Sequence, residues 1–593
     1  MLSITCTGRS EMRKRVLFCT AAGRGYGLGH LMRCLALADE AGSSFDPFVY
    51  VKRKDGQKLP EQKTLTAEYR YVNSIAEAAT ADLVLFDMRK TGRSMVRKLA
   101  RNALVVSLDD AGAARKRAHL LIDSLPTLTE TRANYSGPEY LVLAGDLRKI
   151  TPRPFSEKKG VLVSFGGSDP YDLTGFIVPV LNSIGLRPTV VRGPLFSSRK
   201  SGTRGEVLSG AEELHELINS ARVLITSFGL TMYEAFYLGT PVVLLNHTAY
   251  HFRLAEKVAD LNLGYRGSVR KDRLRELLDA LIKDEGRLKQ SAQRSAHIVD
   301  GRGSERVITL MEQTSRALRK DCFFAHGSGV AVKRCEEYTL FRCRRCKDLF
   351  MHAIRSKGPI YDDGSYFLEE YRLQYGRTYI EDRKNIEMLG YRRIGFIEML
   401  TGGPGKLLDV GCALGFFLHC ARQKGWEAGG VEISQYAGRW GRENLHVDIT
   451  TGHFLQVELE PGTFDAVCFF FVAEHFKETE KLFEKANRIL RKGGVIAVAL
   501  PNRSGISYRM HRRKYLEEHP RDHYFDTNPR NLTKILKRYG FLKKKIYTTG
   551  IHPERFFECF GMRKRPGFLD RMYVRLAEIF SLGDTFEYYG TKS

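Results

Sequence analysis

Short apolar runs rich in β-branched residues alternate along this chain with longer segments of helical spacing. In the first half, strands are predicted at residues 16–19, 83–87, 104–108, 161–165, 189–191, 223–226 and 242–246. The alternation restarts at Lys406, with strands predicted at residues 407–410, 428–432, 466–470 and 495–499. Alternating strands and helices are typical of parallel sheets with helices on both faces. The predicted fold class is therefore α/β throughout.

The 593 residues are too many for one ordinary core and indicate several domains. A Pro-rich break, Thr151-Pro152-Arg153-Pro154, separates two α/β halves, and a helix-rich stretch closes the second half before a cysteine-bearing segment. We therefore predict an N-terminal lobe, a second lobe, a small cysteine module and a final α/β domain, with these bounds: 12–152, 153–318, 319–352 and 353–593.

The first motif is a glycine-rich turn between the first strand and a helix. It reads Ala22-Gly-Arg-Gly-Tyr-Gly27-Leu-Gly29-His30, and Arg33 follows one turn into the helix. Glycines let a ligand approach the backbone amides, and the free N–H groups at a helix start favour an anion. The same N-terminus disfavours an imidazolium, which leaves His30 as a neutral proton acceptor or as a packing histidine.

Two further blocks point to the same cleft. Phe165-Gly-Gly167-Ser-Asp-Pro follows the first strand of the second lobe, and Ser227-Phe-Gly229-Leu-Thr231-Met-Tyr-Glu234 joins a later strand to a helix. Small residues and free amides suit a nucleotide diphosphate, while Glu234 suits a ribose diol or is a solvated residue of the helix.

Together these three blocks resemble the UDP-sugar hydrolases of pseudaminic acid biosynthesis and the related spore-coat polysaccharide proteins, which are akin to GT-B glycosyltransferases. The resemblance covers residues 12–315. It implies two Rossmann-like lobes with a UDP-sugar between them, His30 as the base, and loss of UDP. The substrate-binding residues that it implies are Gly27, Gly29, Arg33, Gly167, Ser227, Gly229, Thr231 and Glu234. The turn Thr20-Ala-Ala-Gly-Arg24 departs from the family's pattern, which leaves glycosyl transfer open as an alternative to hydrolysis.

A second cofactor motif opens the last domain. Leu407-Leu-Asp409-Val-Gly411-Cys412-Ala-Leu-Gly415 predicts a strand, a tight turn and a helix start, and Glu432 ends the next strand. A carboxylate about 20 residues after such a turn also fits dinucleotide binding. The later segments Phe464-Asp465-Ala-Val, Glu474-His475-Phe and Leu490-Arg-Lys-Gly-Gly-Val make the whole succession resemble class I S-adenosylmethionine-dependent methyltransferases.

That resemblance covers residues 375–545 and implies S-adenosylmethionine as cofactor. It places Asp409, Gly411, Cys412, Gly415, Glu432 and Asp465 around the cofactor. His475 is the candidate base for an acceptor hydroxyl. Alignment alone also suffices for methyl transfer, in which case Glu474 and His475 only shape the pocket.

The cysteine segment predicts half of a zinc site at Cys343-x-x-Cys346, with Cys322 and His326 as the other pair. It is similar to the four-cysteine ribbon that precedes many small-molecule methyltransferases. The first pair departs from that pattern, and Cys335 is a possible substitute. Zinc binding and a degenerate ribbon that packs without metal both remain open.

The chain carries 94 Lys and Arg against 68 Asp and Glu, a net charge of +26. Residues 1–320 contribute 49 basic and 34 acidic side chains and the remainder 45 and 34, so the charge is spread evenly. An even spread favours anionic small substrates over a nucleic-acid stripe, although the basic segment 501–545 keeps a nucleic-acid-modifying enzyme as an alternative. No apolar run approaches the roughly 20 residues of a membrane span. We expect a cytoplasmic enzyme that acts on a UDP-sugar and methylates a sugar or glycan.

Overall fold

A computed structural model describes residues 13–23, 28–52, 70–72, 74–126, 131–196, 207–209, 213–316, 322–326, 329–355, 364–558, 560–562 and 566–593. The chain divides into two compact units. The first unit comprises Met1–Ala317 with Arg334–Glu336, and the second comprises Leu318–Lys333 with Glu337–Ser593.

The first unit begins with a parallel sheet of seven strands. They are β1 (Arg15–Ala21), β2 (Asp46–Lys52), β3 (Arg70–Tyr71), β4 (Leu83–Asp87), β5 (Leu104–Leu108), β6 (Leu120–Asp123) and β7 (Tyr135–Ser136). The helices are α1 (Gly29–Ala41), α2 (Ile75–Ala78) and α3 (Arg93–Leu99). The strand order β3-β2-β1-β4-β5-β6-β7 reverses direction between β1 and β4. Ligands of such sheets bind where the order reverses, beyond the carboxyl ends of the strands.

A second parallel sheet follows in the same unit. Its strands are β8 (Lys159–Val163), β9 (Thr189–Arg192), β10 (Val207–Ser209), β11 (Ala221–Thr226), β12 (Val242–Asn246) and β13 (Asn262–Tyr265). Its helices are α4 (Leu173–Ser183), α5 (Leu214–Ser220), α6 (Leu230–Tyr237), α7 (Ala249–Ala255), α8 (Lys271–Lys283), α9 (Glu285–Ser295) and α10 (Gly303–Arg316). The order β10-β9-β8-β11-β12-β13 reverses between β8 and β11. The two lobes therefore share one winding, as the sequence predicts.

The remaining elements, with the exception of the last residue of β14, belong to the second unit. The strands are β14 (Val330–Arg334), β15 (Tyr338–Arg342), β16 (Leu349–Ala353), β17 (Lys406–Val410), β18 (Glu427–Glu432), β19 (Asp448–Thr451), β20 (Phe464–Phe470), β21 (Leu490–Pro501), β22 (Phe525–Asp526), β23 (Phe541–Thr549) and β24 (Thr585–Lys592). The helices are α11 (Tyr371–Tyr375), α12 (Arg383–Thr401), α13 (Phe416–Gln423), α14 (Gln435–Leu445), α15 (Thr479–Ile489), α16 (Ile506–Met510), α17 (Arg512–Glu517), α18 (Pro529–Arg538), α19 (Pro553–Glu558) and α20 (Gly567–Phe580).

The large sheet of this unit has the order β19-β18-β17-β20-β21-β24-β23. All its pairs are parallel except those of β24, which runs antiparallel between β21 and β23. Its central strands are buried on both faces, where two hydrophobic clusters centred on Phe469 and Leu418 lie. A smaller sheet, β14-β15-β16-β22, carries the cysteine segment. Among the described helices, none is both long and apolar enough to cross a bilayer.

Candidate active sites and cysteine cluster

His30 lies at the start of α1, beside the point where the first sheet reverses. Its Nδ1 is 2.7 Å from Oδ1 of Asp87, the last residue of β4. Asp87 is fully buried, whereas the His30 side chain is 21% exposed. Although burial opposes ionisation, the charges of Arg33 and His30 lower the pKa of the Asp87 carboxyl below its usual value. An ionised Asp87 fixes the orientation of the imidazole and leaves Nε2 available as a proton acceptor.

Arg33, predicted from the sequence as a substrate-binding residue, is buried behind His30 and pairs with two carboxylates. Its guanidinium is 2% exposed and donates to Asp87 from Nε at 2.9 Å and to Asp109 from one terminal nitrogen at 2.6 Å. Asp109 in turn accepts from Ser124 Oγ and from the backbone of Leu125. A buried cation is tolerable only when carboxylates pair with it, and here two do. Arg33 therefore stabilises the Asp87–His30 pair from the buried side.

The glycine blocks of the two lobes face each other. A methyl group added at Gly29 would lie 3.3 Å from a Leu230 carbon at the start of α6, and one added at Gly167 would lie 3.5 Å from the Leu28 side chain. Three motifs that are distant in sequence thus meet beside His30. Gly27 lies outside the described residues.

The turn before α6 presents mainly backbone N–H groups, rather than side chains, to a ligand. Gly229 has open space around its Cα, Thr231 is half-buried, and Ser227 is buried. Glu234 is not a free carboxylate, because its Oε1 lies 3.5 Å from Nε2 of His215, whose Nδ1 lies 3.6 Å from Asp146. Burial disfavours the imidazolium, yet hydrogen bonds with these two carboxylates raise the pKa of His215 to about 10. Sequence reasoning missed His215, which lies in a helix without any motif.

In the second unit, the turn after β17 has the geometry of a close backbone cradle. Gly411 has a φ of +71°, and an added Cβ would lie 2.3 Å from Val472. Gly415 caps α13 at a φ of +82°. Only glycine fits these positions without strain. The Cys412 side chain is buried, and a methyl group at Gly430 of β18 would lie 2.5 Å from its Sγ. The thiol therefore packs on the strand, which leaves only the backbone of Cys412 to a cofactor.

Two buried carboxylates frame this cradle at the carboxyl ends of neighbouring strands. Glu432 accepts hydrogen bonds from the backbone N–H groups of Ala413 at 2.8 Å and Ser434 at 2.9 Å, which fixes its direction. Burial raises the pKa of Glu432. Asp409 is 4% exposed, and burial raises its pKa to about 8 despite the opposing charge of Arg393. Buried carboxylates of this kind suit a hydroxyl or ammonium ligand that restores their lost solvation.

Asp465, which the sequence analysis predicted to contact the cofactor, has its hydrogen-bond partners elsewhere on the sheet. It is the second residue of β20 and lies at the amino end of the sheet, where it accepts from the Lys406 N–H at 2.7 Å and pairs with Arg491 at 2.5 Å. Asp409 pairs in register with Cys468, three residues further along β20. The structure therefore places Asp465 at the opposite end of β20 from Glu474 and His475. The strand predicted from the sequence begins at residue 466, so the sequence already indicated that Asp465 precedes this strand.

Glu474 and His475 lie in a short turn after β20, on the same side of the sheet as Gly411. Glu474 is 1% exposed, its Oε2 lacks a hydrogen-bond partner among the described residues, and burial raises its pKa to about 7. Nδ1 of His475 lies 3.0 Å from Asp522, and its ring contacts that of His523 edge-on at 4.8 Å. Ligand atoms of Glu474, His475 and His523 lie within 4.8 Å of one another, so this group could also hold a cation.

Asp522 and His523 were missed by the sequence analysis. They precede the two-residue strand β22, too short for a periodic pattern to reveal. The fully buried Asp526 of that strand contacts His519 at 3.1 Å and His523 at 3.6 Å. The spacing of His519, Asp522, His523 and Asp526 was the available signal.

The predicted ligands of the cysteine segment converge. One ligand atom from each of Cys322, His326, Cys343 and Cys346 lies within 4.8 Å of the other three. Cys343 Sγ is 3.5 Å from Nδ1 of His326, and a hydrogen bond with Cys346 lowers the pKa of Cys322 to about 5. Sulfur ligands of a tetrahedral zinc ion lie roughly 3.8 Å apart, so the cluster fits the ion with small adjustments. Cys335 lies outside it.

Comparisons with known proteins match the two ends of the chain separately. A profile of the family described as "Methyltransferase domain" matches residues 389–543. The ubiquinone biosynthesis O-methyltransferase of Methylococcus capsulatus is 26% identical over 132 residues, which cover 21% of this chain and 56% of that protein. A SAM-dependent methyltransferase from Archaeoglobus fulgidus has a TM-score of 0.29 at 17% identity, over 38% of this chain and 98% of that one.

Two further relatives were found. An uncharacterised protein of Methanocaldococcus jannaschii is 25% identical over 256 residues, 37% of this chain and 53% of that protein. The spore coat polysaccharide biosynthesis protein SpsG of Bacillus subtilis is 22% identical over 330 residues, 49% of this chain and 96% of that protein. The chain thus spans about half the length of the archaeal and ubiquinone-pathway relatives. Residues 389–543 thus match a methyltransferase-domain family, and the amino-terminal half is similar to the spore coat polysaccharide biosynthesis protein.

Proposed function

We propose that this chain is a bifunctional sugar-modifying enzyme. In this proposal the first unit removes UDP from a UDP-sugar, and the second unit methylates a sugar or glycan of the same route. The domain division proposed from the sequence, with boundaries after residues 152, 318 and 352, assigns two lobes to the first activity and the last domain to the second. The observation that carries the proposal is the oriented His30–Asp87 pair in a cleft bordered by Gly29, Gly167 and Leu230.

Cleavage of UDP follows from the orientation of His30. With Nδ1 held by Asp87, Nε2 accepts a proton from a water molecule as the water oxygen bonds to the anomeric carbon. The bond between that carbon and the UDP oxygen breaks, and its electron pair leaves with UDP. The free N–H groups at the start of α6 suit the diphosphate. Glu234, which shares His215 with Asp146, would hold the ribose diol.

Methylation follows from the carboxylates of the second unit. S-adenosylmethionine, when bound, supplies an electrophilic methyl group. Glu432 is oriented to accept from its ribose hydroxyls, Asp409 to hold its ammonium group, and Gly411 leaves room for the backbone to approach it. His475 takes the proton of an acceptor hydroxyl while Asp522 orients its ring.

A His30→Ala variant tests the first activity. We expect UDP release from a cleavable UDP-sugar to fall at least about 100-fold, because the general base is lost, while methyl transfer is unchanged. His297→Ala changes an exposed histidine of the same unit and should leave both activities intact. UDP release near the wild-type rate in His30→Ala would remove His30 from catalysis. Release that occurs only with a sugar acceptor would make the first unit a glycosyltransferase.

We further propose that Cys322, His326, Cys343 and Cys346 hold one structural zinc ion. Native mass spectrometry of the full chain should show one zinc, and Cys343→Ser should lose it because three ligands bind far more weakly than four. Cys335→Ser removes a cysteine outside the cluster and should retain the ion. A wild-type chain purified with added zinc that carries none contradicts the proposal.

A further inference from the structure

A cavity of about 960 Å³ in the second unit is lined by cationic side chains and, among the residues that the structure describes, by no carboxylate. It is distinct from the site around Gly411, since none of its lining residues comes from the turns after β17, β18 or β20. The cations are Arg345, Arg509, Arg530, Lys534 and Arg538. Ligand cavities for small molecules commonly measure about 300–1,000 Å³. Both the size and the charge of this cavity are therefore those of a site for an anionic small molecule.

Helix α18 supplies three of these cations from one face. Arg530, Lys534 and Arg538 follow one another at intervals of four residues, so they stack along the helix. Its opposite face, with Leu532, Ile535 and Leu536, is buried in the core. Like charges at this spacing repel one another and destabilise a helix. This repulsion occurs on the face of α18 that lines the cavity.

Few of these cationic side chains pair with a carboxylate of the described residues. In the neighbouring helix α17, Arg513 pairs with Glu517 four residues later. Among the described residues, neither Arg530 nor Lys534 has such a partner. Arg538 donates to the backbone oxygen of Phe323 at 3.0 Å and lies over the Phe324 ring, and Arg509 donates to the Ser504 oxygen. Neutral contacts of this kind orient the two guanidinium groups without cancelling their charge.

The surroundings do not neutralise the cavity either. Asp348, a buried carboxylate nearby, accepts a hydrogen bond from Asn531 at 2.7 Å and lies 3.8 Å from Arg503, a cation outside the cavity lining that offsets its charge. His326 and Cys346 line the cavity as part of the cysteine cluster. Three thiolates around one Zn²⁺ would carry a net charge of −1, against five cationic side chains. Asn528 caps α18 by accepting from the Asn531 N–H, so the side chains rather than the helix start supply the attraction.

We propose that this cavity binds a ligand that carries a diphosphate. Guanidinium groups match phosphate oxygens in a bidentate manner, and several cations are needed to offset the two or three charges of a diphosphate. Phe580 at the end of α20 lines the cavity, and the exposed side chains Phe568, Met572, Leu576 and Ile579 lie on the same helix. Two sources supply this chemistry, a soluble nucleotide diphosphate and a lipid diphosphate that α20 contacts, and the experiment distinguishes them. The proposal does not depend on the identity of the methyl acceptor.

Hydrogen–deuterium exchange on the full chain tests this proposal and locates the ligand. Inorganic pyrophosphate should slow exchange in peptides covering residues 528–538, and raising the salt concentration should weaken the effect. In the double variant Arg530→Glu/Lys534→Glu, the concentration for half-maximal protection should rise at least tenfold. Lys537→Glu changes an exposed lysine of the same helix outside the cavity and should behave like wild type.

Further arms separate the sources of the diphosphate. Stronger protection by UDP than by pyrophosphate supports a soluble nucleotide. Stronger protection by vesicles containing a lipid diphosphate than by pyrophosphate, with none by pure phosphatidylcholine vesicles, supports a lipid-borne diphosphate. Unchanged S-adenosylmethionine binding shows that the variants fold, and Arg345→Ser on another wall should also weaken protection. Equal weakening by Lys537→Glu, protection by RNA alone, or none by any phosphate ligand would overturn the proposal.

Discussion

At the residue scale, the two sites use buried carboxylates in opposite ways. Asp87 is held ionised by Arg33 and His30, which makes it a fixed partner for a proton acceptor. Asp409 has no comparable partner, and burial raises its pKa to about 8. The first arrangement is complete within the protein, whereas the second is stabilised when a cationic ligand arrives.

The raised pKa of Asp409 predicts a pH dependence of stability. The folded carboxyl keeps its proton up to about pH 8, while the unfolded one loses it near its ordinary value of 3.8. Protonation therefore stabilises the folded state at low pH, and this contribution is lost as the pH rises from about 4 to 8, by up to about 1.4 kcal/mol per pH unit. Asp409→Asn stays neutral and lacks this loss.

Calorimetric unfolding of the ligand-free chain at pH 5, 6, 7 and 8 measures the effect. The unfolding temperature of Asp409→Asn should rise relative to wild type as the pH increases. Asp448→Asn changes an exposed carboxylate at the start of β19 and should follow wild type. Parallel curves for Asp409→Asn and wild type would show that Asp409 ionises as an ordinary carboxylate.

The sequence predicted residues at strand ends better than residues inside helices or in irregular loops. Glu432 was identified because a carboxylate ended a predicted strand after a glycine-rich turn. The burial of Arg33 was not predicted, because sequence spacing alone does not show that Asp87 and Asp109 enclose it. Asp522 and His523 were missed because their position depends on β22 pairing with β16, a contact between segments more than 170 residues apart.

At the element scale, the turn between β17 and α13 is the most demanding backbone feature of the second unit. Gly411→Ala would force a side chain into a left-handed conformation and against Val472. We expect a loss of about 1–3 kcal/mol in the free energy of unfolding, together with weaker S-adenosylmethionine binding. Thermal unfolding and calorimetric titration measure both quantities.

Gly395 provides the matched control. It lies within α12 with open space around its Cα, so Gly395→Ala should stabilise the helix by up to about 1 kcal/mol and leave cofactor binding unchanged. Equal tolerance of alanine at Gly411 and Gly395 would mean that the turn is not the constrained cradle described above.

The central parallel strands were predictable because they are buried apolar runs. The short or half-polar parallel strands were not predicted, namely β2, β3, β6, β7, β10, β13 and β19. The strand β24 was not predicted. It includes charged and polar residues and lies between β21 and β23, so its place in the sheet depends on long-range pairing rather than on local pattern. The cavity beside residues 528–538 also depends on long-range contacts. The sequence showed the basic segment 501–545 but not this cavity.

At the scale of the whole molecule, the proposed sites for anionic ligands in both units would account for the net charge of +26 without a nucleic-acid stripe. In the first unit the free amides of α6 suit a diphosphate. In the second, five cationic side chains line one cavity. Such potentials raise the local concentration of anionic substrates and fall with ionic strength.

The central claim is that one chain both cleaves a UDP-sugar and methylates a sugar or glycan. The most direct test incubates the purified chain with a panel of UDP-sugars and methyl-labelled S-adenosylmethionine, and follows UDP, free sugars and label by mass spectrometry. We predict UDP release from at least one sugar nucleotide and label on a sugar, with His30→Ala abolishing only the former. Label on RNA or DNA but on no sugar, or no UDP release from any member of the panel, would contradict the account.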